Sequence, residues 1–347
     1  MFCAREGAGI GWRDRARTEF AAARIDWRVA GLDAKVKKTA LVLGAGAARG
    51  LAHLGVLEVF EENGIAFDMI VGTSMGALVG GIYAAGVPLA EVERVMLDVP
   101  WKRMASYFRP RLGGGGIMDA REIMKGLAAV MGDAQIEDFR VPFAAVAADI
   151  RSGERVVFTR GSAIAAIRAS ISVPGTFSPV MDGGRAIVDG GIVEPVPVPT
   201  ARDLGAELVV AVNVLDQPAK RGLDGRWAPR DEDAREAPSR RQAAAGGQWH
   251  DKVLAFAQKV AQKRRQRRLD KGRGPWLGSI LWNSLRIMQY SLGELQTREA
   301  DVVIEPDLGD VLPSEFYRGR ECVAAGRRAA ADAVGAIRAM LATRGGT

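Results

Sequence analysis

A serine with glycine two positions to either side, Gly72-Thr73-Ser74-Met75-Gly76, carries more chemistry than any other short stretch of this chain. Apolar residues Phe67 to Val71 precede it and small residues Met75 to Ala85 follow, so the serine falls on a turn between a buried strand and a helix. A sharp turn of that kind lifts one hydroxyl clear of the backbone and sets it at a helix N-terminus, where free N–H groups favour developing negative charge. Gly72 and Gly76 let strand and helix approach without Cβ clashes. The chemistry implied is nucleophilic attack by Ser74 on a carbonyl carbon. In a chain with 42 glycines the pentapeptide alone could be accidental; the flanking strand and helix argue for function.

A serine nucleophile needs a base, usually histidine. The chain has two. His53 falls in the first turns of a helix after a glycine loop, where packing is the commoner role, and His250 lies in a charged stretch far from any strand end. Ile187-Val188-Asp189-Gly190-Gly191 instead puts a carboxylate at a strand's end, with Gly190 and Gly191 permitting a tight turn. A carboxylate with an ordinary pKa of about 3.9 is a weak base for an alcohol. Desolvation would raise its basicity, and a strong oxyanion site would lower the barrier it must help to cross. Donors for that site are expected from the backbone of Gly44, Ala45, Gly46 and Ala47, Gly46 and Ala47 first among them, together with the N–H of Met75. Arg49 and Gly50 close the same loop and brace it.

Read as a dinucleotide cradle, this loop fails twice: Arg49 stands where a third glycine belongs, and no acidic residue ends the second strand. No His, Cys or carboxylate cluster has ligand spacing, so neither a metal nor an organic cofactor is expected. Cys3 and Cys322 make no disulfide framework and suit a reducing cytoplasm.

The elements that must position these residues follow from hydrophobic periodicity. Thr39 to Leu43 is a short strand, and Leu51, Leu54, Val56, Leu57 and Phe60 recur at helical spacing up to Asn63-Gly64. Phe67 to Val71 and Met75 to Ala85 repeat the unit, and Pro88 opens a third helix to about Val99. After Gly113 to Gly116 come a helix over Ala120 to Met131 and a hairpin of Val141 to Asp149 with Arg155 to Thr159. Ser162 to Ser172 reads as a helix, Pro174 to Pro179 as a structured loop, Ala186 to Val188 and Leu208 to Val214 as strands. Trp276 to Leu295, Val302 to Ile304 and Ser314 to Leu341 supply a helix, a last strand and a closing helix. Alternating strands and helices imply an α/β fold with a largely parallel sheet covered on both faces.

Forty-eight per cent apolar content over 347 residues suits one large domain. The expected division is a basic N-terminal arm over 1–38, reading as mobile, a catalytic core over 39–217, a charged insert over 218–275, and a return over 276–347 that completes the core. Charge supports it. Pro218 to Pro275 carries 16 Lys or Arg against 7 Asp or Glu, and Met1 to Lys38 carries 9 against 5, so of a net +7 the remainder is negative by 6. In the insert Val253, Phe256, Ala257, Val260 and Ala261 precede Lys263, Arg264, Arg265, Arg267 and Arg268. A basic amphipathic helix of this kind suits an anionic membrane surface, each cation adding about 1 kcal/mol there, and also a solvated face. Nucleic acid is not an expected partner, since no aromatic residues interleave the charges. Nothing is long and apolar enough to span a bilayer and no secretory signal is read, so a cytoplasmic protein, peripheral on the inner membrane surface, is expected.

Four stretches in this order resemble the patatin-like phospholipase family of serine lipid acyl hydrolases. They are Ala45-Gly46-Ala47-Ala48-Arg49-Gly50 with Leu51-Ala52-His53, the turn Gly72 to Gly76, the run Arg168-Ala169-Ser170-Ile171-Ser172-Val173-Pro174-Gly175-Thr176-Phe177-Ser178-Pro179, and Asp189-Gly190-Gly191 followed by Pro195 and Pro197. The likeness is dense from Thr39 to about Asn213 and looser from Gly278 to Leu341. It implies a three-layer α/β/α sandwich, a Ser74–Asp189 dyad, an oxyanion hole on the glycine loop, no cofactor, and a lipid acyl ester as substrate. The family loop commonly reads Gly-Gly-Gly-x-Arg/Lys-Gly, whereas here Ala45 and Ala47 flank Gly46. A non-catalytic regulatory or membrane-adaptor protein on the same fold is the alternative.

Overall fold

The computed structural model describes residues 37–97, 116–118, 120–216 and 277–345. In chain order their elements are β1 (Thr39–Leu43), a 3-10 turn (Ala47–Leu51) leading into α1 (Ala52–Glu62), β2 (Met69–Thr73), α2 (Met75–Ala84), α3 (Leu89–Leu97), β3 (Gly116–Met118), α4 (Arg121–Met131), β4 (Phe143–Asp149) and β5 (Arg155–Phe158). Then come α5 (Ala163–Ser170), β6 (Gly175–Phe177), β7 (Val180–Asp182), β8 (Arg185–Asp189), α6 (Val198–Asp203), β9 (Leu208–Val212), α7 (Leu277–Thr297), β10 (Val302–Ile304) and α8 (Gly319–Ala342).

Eight strands form one sheet in the order β10-β9-β1-β2-β4-β8-β7, with β5 also on β4. The five from β10 to β4 run parallel, while β5, β8 and β7 pair antiparallel. Every residue of β1, β2, β4 and β9 is buried, as expected of strands covered on both faces. Alternate side chains sort into two cores. Leu41, Leu43, Ile70, Phe143 and Val212 pack with residues of α1, α2, α5 and α8. Ala40, Val42, Met69, Val71, Val146 and Ala211 pack on the other side with Val196, Val198, Ala201 and Leu204. The architecture is therefore a three-layer α/β/α sandwich with a mostly parallel sheet.

Three features depart from the periodicity. The loop at Pro174 to Pro179 contains β6, which pairs in parallel with β3, and β7 and α6 fall where no element is read from the sequence. Contacts divide the chain into two units, Met1–Asp216 with Met288–Thr347, and Gln217–Ile287. Of the second, 277–287 is described and is the first half of α7. Residues 1–36 of the arm expected over 1–38, the insert with Lys263, Arg264, Arg265, Arg267 and Arg268, and His250 lie outside the described residues. Among those described, no helix is long and apolar enough to cross a membrane.

Candidate active site

Strand register explains why residues 115 apart in sequence meet. Along one edge of β4, β2 runs parallel and stops with Thr73 opposite Val146; β8 runs antiparallel and stops with Asp189 opposite Ala147. The two strands point at each other, tip to tip, because β5 occupies the other edge over the same residues. Ser74 is the first residue past β2. Its Oγ donates a 2.5 Å hydrogen bond to Oδ2 of Asp189, and Oδ1 of Asp189 accepts the N–H of Gly191 at 2.7 Å. Both side chains are buried. Burial pushes the Asp189 carboxyl up from 3.8 to about 6, against the downward pull of the hydrogen bonds from Ser74 and Gly191. That makes it a much better proton acceptor than an exposed aspartate.

The turn itself has the expected strain. Ser74 takes φ 56° and ψ −117°, a conformation a non-glycine residue adopts only when its surroundings impose it. Strand and helix close on each other so tightly that a Cβ on Gly72 would lie 2.5 Å from the backbone of Gly76, and one on Gly76 would lie 2.0 Å from the Leu43 carbonyl oxygen. Gly76→Ala is therefore expected to destabilise the fold by about 3 kcal/mol or more, read as a fall in the thermal midpoint or in soluble yield. An alanine variant as stable as the parent would contradict this packing.

On the glycine loop, structure divides the expected donors. Gly44 donates its N–H to the Val212 carbonyl at 3.1 Å and Ala45 donates to that of Pro195 at 2.7 Å, so both amides are engaged within the fold. Ala48 and Arg49 donate to Pro313 and Gly46. The amides of Gly46 and Ala47, and that of Met75 at the start of α2, have no protein acceptor among the described residues. Gly44 and Ala45 are thus tied into the fold, and the amides left as candidate oxyanion donors are those of Gly46, Ala47 and Met75. Ala47 sits at φ 49°, which costs an alanine about 1–2 kcal/mol.

Arg49 braces this loop from beneath. Its Nε donates to the Val214 carbonyl at 2.8 Å, its terminal nitrogens reach those of Val311 and Leu215, and Asp216 lies 3.9 Å away. Gly50 is needed because a Cβ there would sit 2.5 Å from Cγ of Met75. Gly190 passes so close to the Val146 carbonyl that a Cβ would lie 2.5 Å from its oxygen, and a Cβ on Gly191 would come within 2.7 Å of the Gln289 amide nitrogen. His53 is no base for Ser74. Fully buried, it donates from Nε2 to the Gly44 carbonyl at 2.8 Å, and burial pushes its imidazole down to about 4, so it stays neutral and pins the loop. Cys322 is a buried free thiol pushed up to about 11 by desolvation, and so inert. Among the described residues no group of three or more His, Cys, Asp or Glu is placed to hold a metal.

Two contacts at the site are not read from the sequence. Ser170, fully buried at the end of α5, accepts the Ser74 N–H at 2.9 Å and donates to the Val146 carbonyl at 2.6 Å. Thr73 donates its hydroxyl to the Glu194 carbonyl at 2.8 Å. The only sequence signal for Ser170 is its place in the Arg168 to Pro179 run.

Comparison with known proteins bears on the same residues. The patatin-like phospholipase family model matches residues 41–202, a span that contains Ser74 and Asp189. An uncharacterized NTE family protein of Mycobacterium tuberculosis is 38% identical over 177 residues, 51% of this chain and 49% of that protein. A lysophospholipase NTE1 of Pyricularia oryzae is 35% identical over 205 residues, 55% of this chain and 13% of that protein. The chain therefore spans about half the length of the first relative and about an eighth of the second. Among solved structures, VipD from Legionella pneumophila aligns with 89% of this chain and 67% of its own at 14% identity and a TM-score of 0.43.

Proposed function

We propose, from the premise that residues 41–202 of this chain are a patatin-like phospholipase domain, that the protein hydrolyses acyl esters of lipids through a Ser74–Asp189 dyad. The observation that carries this is the 2.5 Å hydrogen bond from the strained serine to a buried carboxylate whose pKa lies near 6. Ser74 Oγ attacks the ester carbonyl carbon and its proton passes to Asp189 Oδ2. The tetrahedral oxyanion takes hydrogen bonds from the amides of Gly46, Ala47 and Met75, at a helix N-terminus that favours negative charge. The intermediate collapses to an acyl-serine as Asp189 gives the proton to the departing alcohol. Water then attacks the acyl-serine as Asp189 takes its proton, and on collapse that proton passes from Asp189 to Ser74 Oγ as the fatty acid leaves.

The substrate class is a phospholipid or lysophospholipid, in keeping with the lysophospholipase name of the fungal relative. Asp189 must be ionised to act. The value of kcat/KM for a short acyl ester is thus expected to rise with pH through an inflection near 6 and level off above about 7. A flat profile from pH 5 to 8 would remove Asp189 as the base. Labelling by a fluorophosphonate separates enzyme from adaptor, because a non-catalytic scaffold leaves Ser74 unreacted.

The basic insert is assigned to an anionic membrane surface through Lys263, Arg264, Arg265, Arg267 and Arg268. Removing Pro218 to Arg273 should weaken sedimentation with anionic vesicles at low salt, and added salt should do the same to the full chain. Unchanged partition would leave a solvated segment.

A further inference from the structure

A strand that turns away from its neighbour leaves a donor and an acceptor without each other, and at this site one side chain joins them. The N–H of Ser74 leaves the β2 ladder as the chain turns, while the Val146 carbonyl of β4 still faces the notch between β2 and β8. The Ser170 hydroxyl stands between them, accepting from Ser74 N–H at 2.9 Å and donating to Val146 O at 2.6 Å. One hydroxyl has one proton and accepts readily, so both buried groups are satisfied by it. The notch admits little else: Gly190 already passes so close to the Val146 oxygen that a Cβ there would clash.

Ser170 is delivered rigidly. The Ser162 hydroxyl caps α5 by accepting the Ala165 N–H, and Ala163, Ile164, Ala166, Ile167 and Ala169 bury the helix against the sheet. Two residues on, the Ser172 carbonyl accepts the Asp189 N–H at 3.0 Å, and the Ser172 hydroxyl is tied back to the Arg168 carbonyl at 2.7 Å. Positions 170 and 172 therefore grip the backbone of the nucleophile and the backbone of the base from one short segment. Ser170 itself is no nucleophile, being wholly buried with its proton committed to a carbonyl.

We propose that Ser170 is a positioning residue that holds Ser74 in its strained conformation and so aims Ser74 Oγ at Asp189. The proposal rests on the Ser74–Asp189 reading. Its effect belongs to the chemical step, since Ser170 touches no substrate, and kcat should fall while KM for a short ester stays the same.

The test is steady-state kinetics on the full chain with Ser170→Ala, Ser170→Cys, Ser170→Thr, Ser74→Ala and a destabilised control, Leu57→Ala, in the core away from the site. Ser170→Ala leaves two buried groups unpaired, and Ser170→Cys keeps the volume with a weak hydrogen-bonding group. Each is expected to lower kcat by about 10- to 100-fold at unchanged KM. Ser170→Thr keeps the hydroxyl and should recover most of the rate, while Leu57→Ala lowers the thermal midpoint and leaves kcat at 25 °C near the parent's. If Ser170→Ala does not fold, Ser170→Cys decides. Parental kcat in the cysteine variant, or an equal loss in Leu57→Ala, overturns the positioning role. Full activity in Ser74→Ala overturns the dyad instead, a result the other variants cannot imitate.

Discussion

Ser74→Ala should reduce hydrolysis of a short acyl ester by about 10,000-fold or more and abolish fluorophosphonate labelling, with the fold retained. Alanine has the same backbone preferences as serine for this purpose, so the turn at φ 56° is no harder to hold, and the small side chain leaves little void. What disappears is the proposed nucleophile and the hydrogen bond that helps keep Asp189 ionised. Loss of that bond should drive the Asp189 pKa above its present value of about 6, so the variant is slightly less stable than the parent at pH 8 and matches it at pH 4. Residual activity near the parental rate would place the nucleophile elsewhere.

Asp189→Asn should be as damaging to activity and opposite in its effect on stability. An amide keeps the contacts to Ser74 and to the Gly191 N–H but accepts no proton at neutral pH, so kcat should fall by about 10,000-fold. In the folded parent the carboxyl binds its proton up to about pH 6, whereas in the unfolded chain it releases it near 3.8. Across that window the folded state holds more protons, so the parent loses stability as pH rises and remains at the lower level above it. The neutral amide escapes this loss. At pH 8 the variant should be more stable by roughly 2–3 kcal/mol, and the gain should vanish below about pH 4. Thermal melts of both proteins at pH 4 and pH 8 check it; a variant less stable than the parent at pH 8 would mean that the buried charge is better solvated by its neighbours than the geometry indicates.

Both members of the hydrogen-bonded pair Ser74 and Asp189 were visible in the amino-acid sequence because each sits in a local pattern: glycines around Ser74 set by backbone approach, and a carboxylate between a β-branched run and two glycines at Asp189. The β1-α1-β2-α2 unit was equally plain, since its strands are short apolar runs and its helices keep a clear period. What escaped was set by distant partners. β3 and β6 have three residues each and exist by pairing with one another 59 positions apart, and α6 is a six-residue helix carrying Pro199 in its first turn. The Gly44 and Ala45 amides look as free as those of Gly46 and Ala47 until Val212 and Pro195 are folded onto them. Ser170 looks like any serine ending a helix, and its hydrogen bonds depend on which edge of β4 is left open, a fact of sheet order that no local spacing encodes.

The meeting of β2 and β8 on one edge of β4 sets the offset of the two strand tips by the repeat of a single strand. Thr73 and Asp189 face consecutive residues, Val146 and Ala147, so the two tips are offset along β4 by one residue, a rise of about 3.3 Å, and within that frame the aim of Ser74 falls, on the proposal above, to Ser170 on α5. Loops at the rim of the sheet can lengthen without changing that offset. A scaffold of this kind lets the surrounding surfaces diverge while the two strand tips keep their spacing.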